Sequence, residues 1–207
     1  MHKTFLSYHH KNDQDIKDYI VKNFGKVNFI DKSVSDNDIN TSNQQDTIMK
    51  IIRRDFLADS TVTIVIVGSE TAQRPFINSE IQASLWGPNY SGLLAIVRDE
   101  IYEKIFEYNT CKSLSCNCNR AVRLQTNLYK YYLPDLVYRN HEYLGSLAHY
   151  TDQEVYCAIV KFSAFIICPE TYINQAFEKR NKNFDVKKRL LPKTPKIEAR
   201  NFGGFWF

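Results

Sequence analysis

Glycine is scarce in this chain, seven in 207 residues, and there is no low-complexity tract. That excludes collagen-like repeats, flexible linkers and glycine-rich loops. No apolar run approaches the ~18 residues that suggest a membrane span, so no membrane partner is expected. The N-terminus carries no hydrophobic segment followed by a small-residue cleavage site, which argues against secretion. Five cysteines is an odd number and does not suit a secreted disulfide scaffold. A reducing, cytoplasmic protein is expected. Net charge is only +4, too mild for a nucleic-acid binder, so nucleic acid is not expected among the partners. Residues 179–200 are locally rich in Lys and Arg. They can touch nucleic acid or an acidic surface, but a solvated tail is the preferred reading.

What is present is an alternation of apolar strands and amphipathic helices. Residues 4–8 read as a first strand. A helix follows, capped by Asn12 or Asp13, carrying Ile16, Tyr19, Ile20 and Phe24 on one face and closed by Gly25 in a left-handed turn. Residues 27–30 form a short second strand. The polar stretch 32–45 is a long loop, of a length that is usually mobile or functional. A helix over 46–57 precedes residues 61–67, a strand apolar enough to be covered on both faces. Pro75 suits the first turn of the next helix, where Ile77, Ile81 and Leu85 recur on the core side. Residues 92–97 form a fourth strand.

This order implies an α/β fold of three layers with a mostly parallel central sheet. Residues 99–108 suggest a further helix and 109–120 a polar insertion, followed by a tyrosine-rich stretch. Thr151 to Glu154 reads as a capping box opening a helix through Val155, Ile159, Phe162 and Ile166. The expected division is a domain over 1–168, with an insertion near 109–150, and a basic, aromatic-ended extension over 169–207. Four aromatics close the chain, and they are expected to fold back onto the domain or to bind another subunit.

Polar groups at the carboxyl ends of parallel strands converge on one crevice. Ser7, Tyr8, His9 and His10 stand at the first such end, Asp31 at the second, and Glu80 one turn into the helix after the third strand. Ser7 and Tyr8 offer hydroxyls to ribose or phosphate oxygens, and the Tyr8 ring can stack on a base or simply pack. At most one of His9 and His10 is expected to reach an anion. Asp31 can orient ribose or cap a turn. Arg74 can bind a phosphate or pair on the surface. Taken alone, Glu80 also fits a surface glutamate.

Phe5-Leu6-Ser7-Tyr8, Phe29-Ile30-Asp31 and Phe76-Ile77-Asn78-Ser79-Glu80-Ile81 appear in the order and spacing of the TIR domain. The chain resembles the TIR-like domain family, and in particular the TIR-like subunit of bacterial Thoeris antiphage systems. The stretch from Ile66 to Thr71, with Arg74 and Glu80 beyond it, is similar to that branch. The likeness covers residues 3–100 well and the remainder loosely.

The resemblance implies a TIR/flavodoxin-like fold and an NAD-cleaving enzyme. Glu80 would be its catalytic acid, with Ser7, Tyr8, His9, Asp31 and Phe76 around the substrate. It implies NAD as substrate rather than cofactor, and a probably cyclic ADP-ribose product that activates a separate effector protein. It also implies a phage-derived trigger and self-association, with the 32–45 loop in the assembly. The family often has Trp where this chain has Phe76. A non-catalytic module that binds a nucleotide or a protein is the competing expectation. Cys111, Cys116 and Cys118 offer no fourth ligand at tight spacing, so no metal is expected. Cys157 and Cys168 read as core residues in a helix.

Overall fold

The computed structural model describes residues 2–25, 29–30, 45–55, 57, 59–111, 116 and 118–190. Expectations for Asp31, for positions 32–44 and for the aromatic end fall outside these residues. Five parallel strands form the central sheet: β1 (Thr4–Ser7), β2 (Phe29–Ile30), β3 (Val62–Val67), β4 (Gly92–Val97) and β7 (Ala158–Lys161), in the order β2-β1-β3-β4-β7. Between β4 and β7 the chain adds an antiparallel hairpin of β5 (Phe106–Thr110) and β6 (Ala121–Gln125), followed by the short helices α5 (Tyr129–Tyr132) and α6 (Asp135–Asn140).

β3 and β4 are buried along their whole length, as their unbroken apolar sequences require. Alternate residues feed two cores. Val65, Val67, Leu93, Ala95 and Val97 pack on one side with Ile77, Ile81 and Leu85 of α3 (Pro75–Ser84) and its C-cap, and with Ile101 of α4 (Asp99–Ile105). On the other side Leu6, Ile64, Ile66, Leu94 and Ile96 meet Ile16 and Ile20 of α1 (His10–Phe24). A smaller cluster joins Phe5 to Ile52 of α2 (Gln45–Asp55) and to Ala83 of α3. The architecture is therefore the expected three-layer α/β fold.

Local departures have physical reasons. Tyr19 is 43% exposed, because the buried face of α1 runs through Asp13, Ile16, Lys17 and Ile20. Asp13 does not cap α1; His9 precedes the helix, and Asp13 is buried within its first turn. Gly25 keeps a right-handed φ of −61°. Where one helix was expected from Thr151 through Ile166, the chain forms strand β7 and then the one-turn helix α7 (Phe162–Phe165). Glu154 accepts from the Thr151 N–H at 2.7 Å as a capping box would. Ala158–Lys161 then pairs with β4, because residues buried on both sides of a sheet edge satisfy the same apolar spacing as a helix stripe. Cys157 is fully buried just before β7, while Cys168 is the half-covered residue preceding α8 (Pro169–Lys179).

Residues 169–190, assigned by sequence to the extension, include α8. Its Ile173 and Ala176 join the α1-side core. A Cβ at Gly92 would come 2.1 Å from the Ala176 carbonyl oxygen, so only glycine lets the helix backbone lie on β4.

The hairpin is fastened by Arg123. Its guanidinium meets Asp152 at 2.8 and 3.0 Å, the Tyr102 hydroxyl at 2.9 Å and the Ile159 carbonyl at 3.2 Å. It also lies over the Phe106 ring. His141 completes this junction. Its Nδ1–H donates to the Cys157 carbonyl at 2.9 Å, which leaves Nε2 as an acceptor 3.3 Å from Arg123. Burial, with Arg123 adjacent, pulls its pKa down to about 4 although Asp152 opposes the shift.

Two outcomes follow. Gly92→Ala destabilises the chain by about 1–3 kcal/mol in urea unfolding, since α8 must lift from β4; an unchanged midpoint would remove α8 from the folded unit. For His141 the folded pKa lies below the unfolded ~6.5, so the unfolded state binds more protons between the two values. Its stabilising contribution is complete above ~6.5 and disappears as pH falls toward 4, a loss of about 3 kcal/mol. Unfolding midpoints measured across that window should show this loss in the wild type and a flatter profile in His141→Asn.

Candidate active site

β1 ends beneath α3. Ser7 lies beside Val65 of β3 and directs its side chain toward α3, on the same side of the sheet as Phe5. Its hydroxyl donates to Glu80 Oε2 at 2.5 Å. Glu80 reaches it from the second turn of α3, a helix whose first residue is Pro75. Pro fits there because the first backbone donors of a helix have no partner in the helix. With only 2% of its surface exposed, Glu80 is a buried acid, not the surface glutamate that its isolated position also allowed.

The other expected residues take different places. Tyr8, the residue directly after β1, points to the opposite side, packs in the α1-side core and donates to Gln14 Oε1 at 3.0 Å. Its ring lies against His10, with 4.5 Å between centroids. Phe76 is half-buried against Phe5, Ile52, Leu57 and Ala83, which makes it a packing residue in this arrangement.

His9 is nearly covered, and its Nδ1 lies 3.9 Å from Glu70 Oε2, beyond hydrogen-bond reach. Burial and the Arg74 charge hold its pKa below the ordinary imidazole value. Arg74 forms an ion pair with Glu70, and this pairing, aided by the Asn12 side chain, holds the Glu70 carboxyl below the usual carboxylate range. His9 Nδ1, Arg74 Nε and Asn78 Oδ1 are buried polar atoms without a hydrogen-bond partner among the described residues. Polar atoms in that condition are suited to accept a ligand or water.

Sequence reading missed a second polar cluster. Asp13 Oδ1 accepts from Arg98 Nε at 2.7 Å, and Asp13 Oδ2 accepts from the Thr71 hydroxyl at 3.1 Å. Thr71 Oγ1 accepts in turn from the Gly68 N–H at 2.8 Å. Arg98 also meets the Asn12 carbonyl at 2.6 Å and pairs with Asp15. A Cβ at Gly68 would come 2.2 Å from Asp13 Oδ1, so glycine is required for this approach. Burial pushes the Asp13 carboxyl up, while Arg98 and Thr71 pull it down. An open cavity of about 610 Å³, lined by Asn12, Asp15, Ser69, Arg98 and Glu100 among others, borders the cluster. Glu80 is not part of its wall. A charged residue directly after an apolar strand was the available signal for Arg98.

The cysteine reading also needs correction. The fold brings His149 to Cys111, Cys116 and Cys118, and their ligand atoms all lie within 4.8 Å of one another. The fourth group was invisible because it lies some thirty residues away in sequence.

The parallel sheet thus has a flavodoxin-like strand order, with an acid on α3 bonded to the tip of β1. Residues 5–101 match the family model described as Thoeris protein ThsB, TIR-like domain. The match supports a role in antiphage defence signalling, in a system that involves other proteins. No curated protein and no solved structure matches the chain. Among the described residues, no helix is long and apolar enough to cross a membrane.

Removing the Asp13 carboxylate leaves Arg98 without its most buried partner. Asp13→Ala should cost about 3–5 kcal/mol in chemical denaturation. A loss below about 1 kcal/mol would mean that the cluster is not a structural anchor.

Proposed function

We propose that this protein cleaves the nicotinamide–ribose bond of NAD and makes an ADP-ribose signal, cyclic in form, that activates an effector protein in antiphage defence. The observation that carries this reading is the contact between Ser7 and Glu80 at the end of β1. NAD leaves its nicotinamide as a neutral base, so the leaving group does not need a general acid. Positive charge develops on the ribose ring, as in glycoside hydrolysis. A preorganised carboxylate on a rigid helix offsets that charge and accepts hydrogen bonds from the ribose hydroxyls.

Ser7 fixes the carboxylate rotamer. His9 and Arg74 supply donors nearby for phosphate oxygens, with Arg74 now shared with Glu70. Cyclisation additionally requires that water be kept from the cationic sugar while an internal hydroxyl attacks. Tyr8 as found packs on the other side of the sheet, so base stacking by its ring would require a rearrangement. The part given to Asp31 by the resemblance, orienting ribose, stays within this proposal, as do NAD as the substrate and a phage-derived trigger.

One observation favours the alternative of a non-catalytic binding module. Glu80 is only 2% exposed, so ribose can reach it only after neighbouring side chains move aside. The two readings separate in one assay: purified chain is incubated with NAD, with and without extract from phage-infected cells, and nicotinamide is quantified by chromatography. The enzyme reading expects release that falls at least about 100-fold in Glu80→Gln and about 10-fold in Ser7→Ala. Wild-type turnover in Glu80→Gln, or no release under either condition, would leave the binding module standing.

A further inference from the structure

The connection between β5 and β6 gathers three thiols at the hairpin tip. Cys111 follows β5, and its N–H donates to the Arg120 carbonyl at 2.9 Å, extending the ladder beyond the two strands. Cys116 and Cys118 lie on the returning limb. Asn119 turns the chain there with a φ of 48°, the left-handed conformation that Asn tolerates better than most residues. This turn directs backbone N–H groups at the sulfurs: Cys118 N–H toward Cys116, and Arg120 N–H toward Cys118.

The fourth group arrives from the segment before β7. Tyr150 stacks on Tyr143 at 5.0 Å and accepts from Gln125 of β6 at 3.3 Å. These contacts seat the adjacent His149 over the hairpin tip. His149 Nε2 then lies 3.6 Å from the Cys116 sulfur and 3.3 Å from that of Cys118.

We propose that Cys111, Cys116, Cys118 and His149 form a structural zinc site of the Cys3His type. A tetrahedral centre with Zn–S of about 2.3 Å and Zn–N of about 2.0–2.1 Å sets its sulfur and nitrogen ligands about 3.5 Å apart. The separations at His149 Nε2 fall on either side of that value. Four protein ligands close the coordination sphere and leave no position for substrate, which is the pattern of a structural ion and not of a catalytic one. Three thiolates and an imidazole select zinc over the hard cations magnesium and calcium, which prefer oxygen. Peptide N–H groups directed at two of the sulfurs supply the outer-shell support that such thiolates need.

The ion would staple the tip of the hairpin to the 143–150 segment, while the Arg123–Asp152 pair fastens the hairpin at its middle. It lies outside residues 5–101, which match the family model, and is independent of NAD chemistry.

The test is metal content of the full chain, purified under reductant from zinc-supplemented cells and washed free of loose metal. Plasma mass spectrometry should find about one zinc per chain. Cys116→Ser, Cys118→Ser and His149→Ala should each lose most of it, His149→Cys should retain it, and Cys168→Ser should be unchanged. Replacement by cobalt should give the intense visible bands of a tetrahedral thiolate site. Circular dichroism of each variant shows whether lost zinc reflects lost ligation in a folded chain. Should His149→Ala fail to fold, retention of zinc by His149→Cys carries the assignment of that ligand. The proposal is overturned if the reduced wild type binds no zinc, or if it carries iron. It is likewise overturned if peptide mapping finds a disulfide among the three thiols, or if Cys168→Ser loses zinc as readily as the ligand variants.

Discussion

The buried Asp13 carboxylate is the point on which this fold's functional edge depends. It sits in α1, yet its partners come from the turn after β3, through Thr71, and from the residue after β4, Arg98. One side chain thereby ties the carboxyl ends of two strands to the helix that begins where β1 stops. A buried acid is tolerable only when charge and hydrogen bonds compensate its desolvation, and here both oxygens are engaged. The close approach of Gly68 shows how little space the arrangement leaves.

With that edge fixed, β1 and the residue directly after it present alternate side chains to two environments. Ser7 faces α3 and meets Glu80; Tyr8 faces α1 and enters the core. The alternation follows from the pleat and cannot be evaded by adjacent residues on a strand. It divides what the motif places side by side: one residue stays with the acid, and the next serves packing. Phe76 lies with Phe5 and Ile52, where a ring of either polarity would chiefly fill space.

Beyond β4 the chain builds a second layer of organisation on the same sheet. Arg123, Asp152 and His141 fasten the β5–β6 hairpin with charge-assisted bonds in a largely buried junction. The neutral imidazole has its tautomer set by the Cys157 carbonyl on one side and by Arg123 on the other. Further out, the three cysteines and His149 bring the tip of the same hairpin against the 143–150 segment. The family match ends at residue 101, so the hairpin, its junction and β7 lie outside the matched residues.

The elements legible in the sequence were those whose burial is simple. β3 and β4 are apolar throughout because both faces are covered, and α3 shows its stripe because only one face is. Glu80 was legible through its place in a motif, and Ser7 through its place at a strand end. By contrast, residues 158–161 carry a spacing that suits either a helix or a covered strand, and only the free edge of β4 decides between them. Composition and local pattern thus determined the class of fold and the acid at its edge, because hydrophobic period and strand-end polarity are properties of neighbouring residues. Tertiary structure alone decided that Asp13 would join Arg98 and that His149 would meet three distant thiols. Each of those contacts depends on strand order and helix crossing, which bring together groups that no local spacing connects.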